Sequence, residues 1–412
     1  MPAIAQAAVA QTIGRPKLRT LDTSDLTGQT VIVRADLNVP MKNGAVTDDT
    51  RLERTLPTLR ALIARNARVL VMSHLGRPSG PAPELSLAPV AARLGELMGE
   101  TPVRFIPDCV GPTVREGIAC LFQGEIAVLE NLRFHAAEEQ NDPDFARELA
   151  APADIYINDA FSCSHRAHAS THAIAQHLPA YAGLSLQAEL EALESALGKP
   201  KRPVAALVGG AKVSSKIDVL SNLVGKVDCI IIGGGMANTF LAALGKQVGR
   251  SLVEPDQIET AKRILEKADA ARCRIVLPTD VVVASALAAN VWSLAISADH
   301  VPADRMILDA GPITSHAVSA LLSDYSTLLW NGPLGVFEVP PFGNATFTVA
   351  RAAAALTTSG KLVTVAGGGD TVAALNAAGV TDKFTYVSTA GGAFLEWLEG
   401  RPLPAIQVLM TH

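Results

Sequence analysis

RVLVMSHLGRP, residues 68–78, decides the fold. Val69 to Met72 form a continuous apolar run with no polar alternation, the pattern of a strand whose sheet is covered by helices on both faces. Ser73, His74, Gly76 and Arg77 follow at once, so polar chemistry begins where the strand stops. The same punctuation recurs along the chain. VIVRAD (31–36), IAVLEN (126–131) and IYINDA (155–160) repeat it in the first half. AALVGG (205–210), CIIIGGG (229–235), RIVLPTD (274–280), MILDAGP (306–312), TLLWNGP (327–333), LVTVAGGGD (362–370) and FTYVSTAGG (384–392) repeat it in the second. Ala/Leu-rich segments with helical spacing separate these runs, and strands alternating with helices build parallel sheets.

At 412 residues the chain exceeds a single hydrophobic core, since domains cluster near ~100–200 residues. The expected fold class is α/β, with two Rossmann-like three-layer αβα domains built on parallel sheets. Between the halves lies LSLQAELEALESALGKPKRP (184–203). Its Leu186, Leu190, Leu193 and Leu197 recur at helical spacing, Glu fills the other face, and Gly198 and Pro200 end it. The expected organisation is an extension over 1–17, a first domain over 18–183, a connecting helix with a hinge over 184–200, and a second domain over 201–395. A segment over 396–412 is expected to pack back on the first domain.

Charge and composition narrow the function. The net charge is −5 with pI near 6.0, which leaves no chain-wide basic field for nucleic acid. No run approaches the ~18 apolar residues of a membrane helix. Five widely spaced cysteines without a C-x-x-C suggest neither disulfides nor structural zinc and fit a reducing cytosol. The opening MPAIAQAAVAQ lacks a basic and a strongly apolar region and does not read as a signal peptide. Residues 1–186 hold 15 Arg and 2 Lys, whereas 187–412 hold 8 Arg and 10 Lys, so fork-like anion recognition is concentrated in the first half.

Ligands of open parallel sheets sit outside the carboxyl ends of the strands. In the first half that edge carries Asp36 and Asn38, Arg51 at the start of a helix, His74, Arg77, Arg133 and Arg166. Positive groups converging there imply a phosphate or carboxylate ligand. His165, His168 and His172 have spacing that suits a metal, but no carboxylate or cysteine completes the ligand set. The second half offers Gly-rich turns, where backbone N–H groups can approach a phosphate at a helix N-terminus; it has no Walker A pattern. Lys212 and Lys216, four apart, are expected on one face of a helix near its start. Asp370, after three glycines, suits a hard cation. Asn331, Gly332 and Pro333 form a turn that could border a nucleoside, and Glu338 could accept ribose hydroxyls.

Nine blocks then stand in a telling order: RADLNVP (34–40), SHLGRP (73–78), ENLRF (130–134), NDAF with HRAHAS (158–170), GGAKVSSK (209–216), IIGGGMA (231–237), WNGPLGVFE (330–338), GGGDT (367–371) and STAGGA (388–393). From about residue 18 to its end the chain resembles the phosphoglycerate kinase family. The resemblance implies reversible transfer between Mg-ATP and 3-phosphoglycerate, giving 1,3-bisphosphoglycerate and ADP. It implies that Asp36 and Asn38 meet the hydroxy-acid part of the acceptor and that His74, Arg77, Arg133 and Arg166 hold its other phosphate. Arg51 and Lys212 would stabilise the transferring group. Lys216 would bind nucleotide phosphates, Glu338 the ribose, and Gly368, Gly369, Asp370 and Thr371 the phosphates and Mg²⁺. Gly210, Gly234, Gly235, Gly311, Asn331 and Pro333 would complete the nucleotide site. The implied partners are these small molecules, with no nucleic acid and no membrane, for a monomer in the cytoplasm.

Ala390, where that family commonly has Gly, raises the question of the local amide geometry, and Ser215 stands where Asp is frequent. Two rivals are a nicotinamide or flavin oxidoreductase, suggested by IIIGGGMAN (230–238), and a binding protein that keeps the fold without turnover. The first has Asn238 at the third glycine position of the dinucleotide pattern and Glu254 in a polar loop. The second has to explain a complete charged set.

Overall fold

A computed structural model describes residues 17–21 and 26–411. The extension expected over 1–17 therefore lies, apart from Lys17, outside the described residues. Contacts divide the chain into two compact units. The first takes the chain to Asp159, with Ala167–Gly183 and Pro404 onward; the second takes Ala160–Arg166 and Leu184–Leu403.

In the first unit the order is β1 (Thr30–Arg34), a small hairpin of β2 (Met41–Lys42) and β3 (Ala45–Val46), α1 (Thr50–Ile63), β4 (Arg68–Met72), α2 (Ala88–Met98), β5 (Val103–Ile106), α3 (Pro112–Ala119), β6 (Ile126–Leu129), α4 (Pro143–Ala150), β7 (Ile155–Asn158) and β8 (Ala180–Ala182). The sheet runs β5-β6-β4-β1-β7-β8, with all strands parallel. Val31, Val33, Val69 and Val71 pack against Leu52, Leu59 and Leu94 of the covering helices, which is why these strands read as unbroken apolar runs. Helix starts follow local chemistry: Asp142 accepts from the Phe145 N–H at 2.8 Å, and Pro143 begins α4.

The chain's last residues close this unit. Leu18 bridges Met410 antiparallel, Arg19 N–H donates to the Leu409 carbonyl at 2.8 Å, and Thr411 N–H donates to that of Lys17 at 2.8 Å.

The second unit begins with α5 (Leu184–Leu193), which runs on through one π-helical turn over Glu194–Gly198. The leucine stripe lies as read at Leu186 and Leu193, both buried. Glu189 does not share the exposed face expected of the glutamates, because it is 4% exposed and its carboxylate accepts from the Tyr386 hydroxyl at 2.6 Å. There follow β9 (Val204–Val208), α6 (Ile217–Leu223), β10 (Cys229–Ile232), α7 (Gly234–Ala243), α8 (Ile258–Ala270), β11 (Arg274–Val276), β12 (Asp280–Ala284), β13 (Ser293–Ser297), β14 (Met306–Ala310), α9 (Pro312–Leu321), β15 (Thr327–Asn331), α10 (Asn344–Thr358), β16 (Val363–Gly367), α11 (Gly369–Ala378), β17 (Tyr386–Ser388) and α12 (Gly391–Leu398).

The main sheet is parallel, in the order β11-β10-β9-β15-β16-β17. One expectation changes here: β12, β13 and β14 form a separate antiparallel sheet. MILDAGP is thus no member of the parallel set, and RIVLPTD divides into the whole of β11 and the first residue of β12. Residues 285–292, which join β12 to its neighbour β13, are too short for the crossover of about a dozen residues that parallel neighbours need.

Candidate functional site

Strands β6, β4 and β1 are adjacent, so the loops that leave their carboxyl ends stand side by side. Asp36 and Asn38 follow β1, Arg51 opens α1, His74 and Arg77 follow β4, and Arg133 follows β6. Arg51 Nη1 lies 2.7 Å from each carboxylate oxygen of Asp36. Asn38 Oδ1 accepts from the Gly76 N–H at 2.9 Å, joining the first two loops. Buried Asn131 donates to the carbonyls of Leu75 (2.8 Å) and Leu85 (2.9 Å). Arg133 donates to the Gly76 carbonyl at 2.6 Å and pairs with Glu139 at 3.1 Å. Arg77 is exposed. Arg166 belongs with the segment 160–166 of the second unit, where its N–H donates to the Cys163 carbonyl at 3.2 Å.

Beneath these loops lies a network that the sequence reading missed. Arg34, 1% exposed, ends β1. Its guanidinium donates from Nε to Ser170 Oγ (2.9 Å) and from Nη1 to the Ala35 carbonyl (2.5 Å), and its Nη2 stands 3.0 Å from His74 Nδ1. Ser170 in turn donates its hydroxyl to Glu138 at 2.6 Å and its N–H at 3.0 Å. Burial, then the charge of Arg34, holds the His74 imidazole well below its ordinary range, with Arg133, Arg51 and His168 adding to it. His74 is therefore neutral, which corrects its place among the converging positive charges. The signal was available: an arginine closing the buried strand TVIVR must find partners.

The three histidines diverge. His172 Nδ1 meets Asn141 at 3.3 Å, His168 lies 3.9 Å from Glu138, and His165 belongs to the other unit. No group of three metal-ligating side chains occurs among the described residues.

In the second unit β10, β9, β15 and β16 are adjacent, and their glycine turns interlock. A Cβ on Gly209 would overlap the Pro333 carbonyl, and one on Gly332, at φ +103°, would overlap that of Gly209. Backbone thus packs on backbone, with no room for side chains. Gly332 N–H donates to Thr371 Oγ1 at 2.7 Å, and Thr371 donates to the Gly367 carbonyl at 2.8 Å. Asn331, buried, donates to the same carbonyl at 2.7 Å and accepts from Lys216 Nζ. Burial pushes the Lys216 ammonium down to about 8, with Asp370 and Glu399 opposing the shift.

Lys212 and Lys216 do not share a helix face as expected. A turn donates Lys216 N–H to the Val213 carbonyl at 2.8 Å, and α6 begins only at Ile217. Lys212 is exposed in the preceding loop. Ala390 has φ −95°, so no glycine-only conformation is required there.

A cavity of about 490 Å³ opens beside these turns. Leu252, Leu287, Met306, Leu334 and Val336 form its apolar wall, while Gly210, Gly234, Gly235, Pro333, Glu338 and Asp370 form a polar border. Gly311 does not line it; a Cβ there would overlap the Asp280 carboxylate, which caps α9 by accepting from Thr314 N–H at 2.7 Å and Ile313 N–H at 2.9 Å. Buried Asp309, also missed, accepts from Ala310 N–H (2.9 Å) and Ala345 N–H (3.1 Å), and burial pushes its carboxyl up to about 8. Asp370 is exposed in the first turn of α11. One exposed carboxylate beside amide-rich turns fits Mg²⁺, which takes one or two carboxylates and completes its octahedron with phosphates and water.

The family described as phosphoglycerate kinase matches residues 21–401. A phosphoglycerate kinase of Sinorhizobium medicae is 57% identical over 389 residues, covering 94% of this chain and 97% of that protein. One from Caulobacter vibrioides is 57% identical over 392 residues, covering 95% and 99%. Among solved structures, phosphoglycerate kinase from Coxiella burnetii superposes with a TM-score of 0.88 at 41% identity, covering 95% of this chain and 99% of that one. The enzyme from Pyrococcus horikoshii superposes with a TM-score of 0.80 at 31% identity, covering 95% and 98%.

Proposed function

The chain belongs to the phosphoglycerate kinase family, and from that premise we propose that it transfers a phosphoryl group reversibly between Mg-ATP and the carboxylate of 3-phosphoglycerate, with the division of labour that follows. The supporting observation is the chemistry of two strand-end edges: one carries arginines, the other interlocked glycine turns beside a cavity with an apolar wall.

A carboxylate oxygen of the acceptor attacks the γ-phosphorus as the bond to the β-phosphate oxygen breaks. The acceptor is already an anion, so no proton has to be removed and no general base is needed. What the protein supplies is position and positive charge. Asp36 and Asn38 orient the hydroxy-acid end. Arg77, Arg133 and His74 hold the phosphate that stays, joined by Arg166 from segment 160–166. Asp36 grips Arg51 through Nη1 alone, leaving other N–H groups of the guanidinium for the transferring phosphoryl, which Lys212 also meets. Lys216 and the amides around Gly210, Gly368 and Gly369 hold the nucleotide phosphates. The apolar wall receives the base, and Glu338 the ribose. Asp370 would hold Mg²⁺, which neutralises charge on the phosphate oxygens when bound.

Direct transfer needs the reacting atoms within about 3–3.5 Å, and we read closure of the two units about a hinge as the motion that achieves it and excludes water. The monomeric state and cytoplasmic setting are read from the family; light scattering after gel filtration and cell fractionation test them.

An assay that couples ADP release to NADH oxidation should show turnover that requires 3-phosphoglycerate, ATP and Mg²⁺ together. Folded protein without turnover would sink the reading in favour of a binding protein. Stabilisation against heat by NAD and not by Mg-ADP would favour an oxidoreductase.

A further inference from the structure

We infer that Arg34 is a positioning residue that fixes the tautomer of His74, so that His74 meets the acceptor's phosphate as a neutral donor through Nε2–H. The inference rests on the proposed placement of that phosphate at His74. Its starting point is one contact, Arg34 Nη2 at 3.0 Å from His74 Nδ1. A guanidinium nitrogen donates and never accepts, and it stays protonated throughout the working range. Nδ1 is therefore the proton-free, accepting nitrogen. A neutral imidazole carries one N–H, which leaves it on Nε2, the ring nitrogen away from Arg34.

Arg34 is itself held in place. Its Nε bond to Ser170 and its Nη1 bond to the Ala35 carbonyl anchor two other corners of the planar fork. Turning the fork away from His74 would break buried hydrogen bonds. Ser170 passes the arrangement to Glu138, whose carboxylate takes both its hydroxyl and its N–H. Glu138 is 1% exposed; burial pushes its carboxyl up, and Arg34 and the two Ser170 hydrogen bonds oppose that shift. Segments 30–36, 73–78, 135–139 and 167–171 thus converge to set the state of one imidazole.

The groups facing His74 agree with this assignment. Arg34, Arg133, Arg51 and His168 all act against a proton on its ring, and the nearby anions are committed, Asp36 to Arg51 and Glu138 to Ser170. A second proton on His74 would have to sit on Nδ1, facing the guanidinium. The acceptor site therefore keeps a donor of constant charge through the range in which an ordinary histidine switches.

The test is nitrogen-15 NMR of the imidazoles in the full-length protein, with His74→Gln identifying the His74 signals. We expect protonated Nε2 and bare Nδ1 from about pH 6 to 8. A proton on Nδ1, or a ring titrating near 6.5, would overturn the inference. Arg34→Met removes donor and charge together. In that variant the His74 proton should no longer be confined to Nε2, so that the Nδ1 tautomer appears, while burial still holds the ring below its ordinary range, and KM for 3-phosphoglycerate should rise about tenfold with KM for Mg-ATP unchanged. Arg34→Lys, which still donates, should restore the tautomer and part of the KM. An unchanged ring in Arg34→Met overturns the inference; if that variant does not fold, the spectrum of the unsubstituted protein decides. A changed ring with an unchanged acceptor KM would overturn the placement of the phosphate and leave the tautomer assignment standing.

Discussion

The two units prepare for phosphate in opposite ways. The first presents the ends of long side chains, Arg51 held by Asp36, Arg133 by the Gly76 carbonyl and Glu139, and His74 by Arg34. The second presents backbone, with Gly209, Gly332 and Gly234 so closely opposed that no Cβ fits among them. A side-chain site can lose one donor and keep its scaffold. In a backbone site the scaffold and the binding surface are the same atoms, so damage to one is damage to both.

Three substitutions probe that contrast. Arg51→Ala should lower kcat by roughly 10²- to 10³-fold, because it removes charge offered to the transferring group. The thermal midpoint should move by less than the loss of a fully buried ion pair would give, since the pair with Asp36 keeps some contact with water, its side chains being 28% and 14% exposed. An unchanged kcat would show that the transition-state charge lies elsewhere.

Gly209→Ala should act on the fold first. Its methyl group would meet the Pro333 carbonyl, and parting two buried backbone turns should cost about 1–3 kcal/mol. Denaturant midpoint and nucleotide KM should worsen together. A midpoint within error of the parent would mean that the turns yield and that the contrast between the units is overstated.

The smallest effect concerns Lys216, an ionisable side chain embedded in the backbone site. With its ammonium at about 8, it is charged at neutral pH and loses its proton as pH rises through 8. For nucleotide, kcat/KM, which reports the free enzyme, should therefore fall on the alkaline side, approaching tenfold per pH unit. Lys216→Arg, which does not titrate there, should flatten the profile. A profile equally steep in both would assign the titration to another group.

What could be read in advance divides along the same line. The parallel strands and glycine turns were legible because periodicity and turn composition are local: four or five residues such as Ile230–Gly234 carry the whole signal. Arg34 was not legible as a positioning group, because its partners Ser170 and His74 lie 136 and 40 residues away. Lys212 and Lys216 were placed on a helix by spacing alone, but the turn at Val213–Lys216 delays α6 to Ile217. The antiparallel sheet was missed because a short apolar run does not say which way its neighbour points. Gly311 was read as a phosphate glycine, whereas here it makes room for Asp280; pattern locates a glycine without saying what presses against it.

The stitch between Leu18 and Met410 has a consequence for the order in which the molecule is made. A ribosome finishes everything up to Gly183 and must then add all of Leu184–Leu403 before the closing residues exist. At about 5–20 residues per second that interval is on the order of tens of seconds. During it Lys17, Leu18 and Arg19 await their partners in Leu409–Thr411. Translation therefore delivers the second unit whole before Leu409–Thr411 exist to pair with Lys17–Arg19.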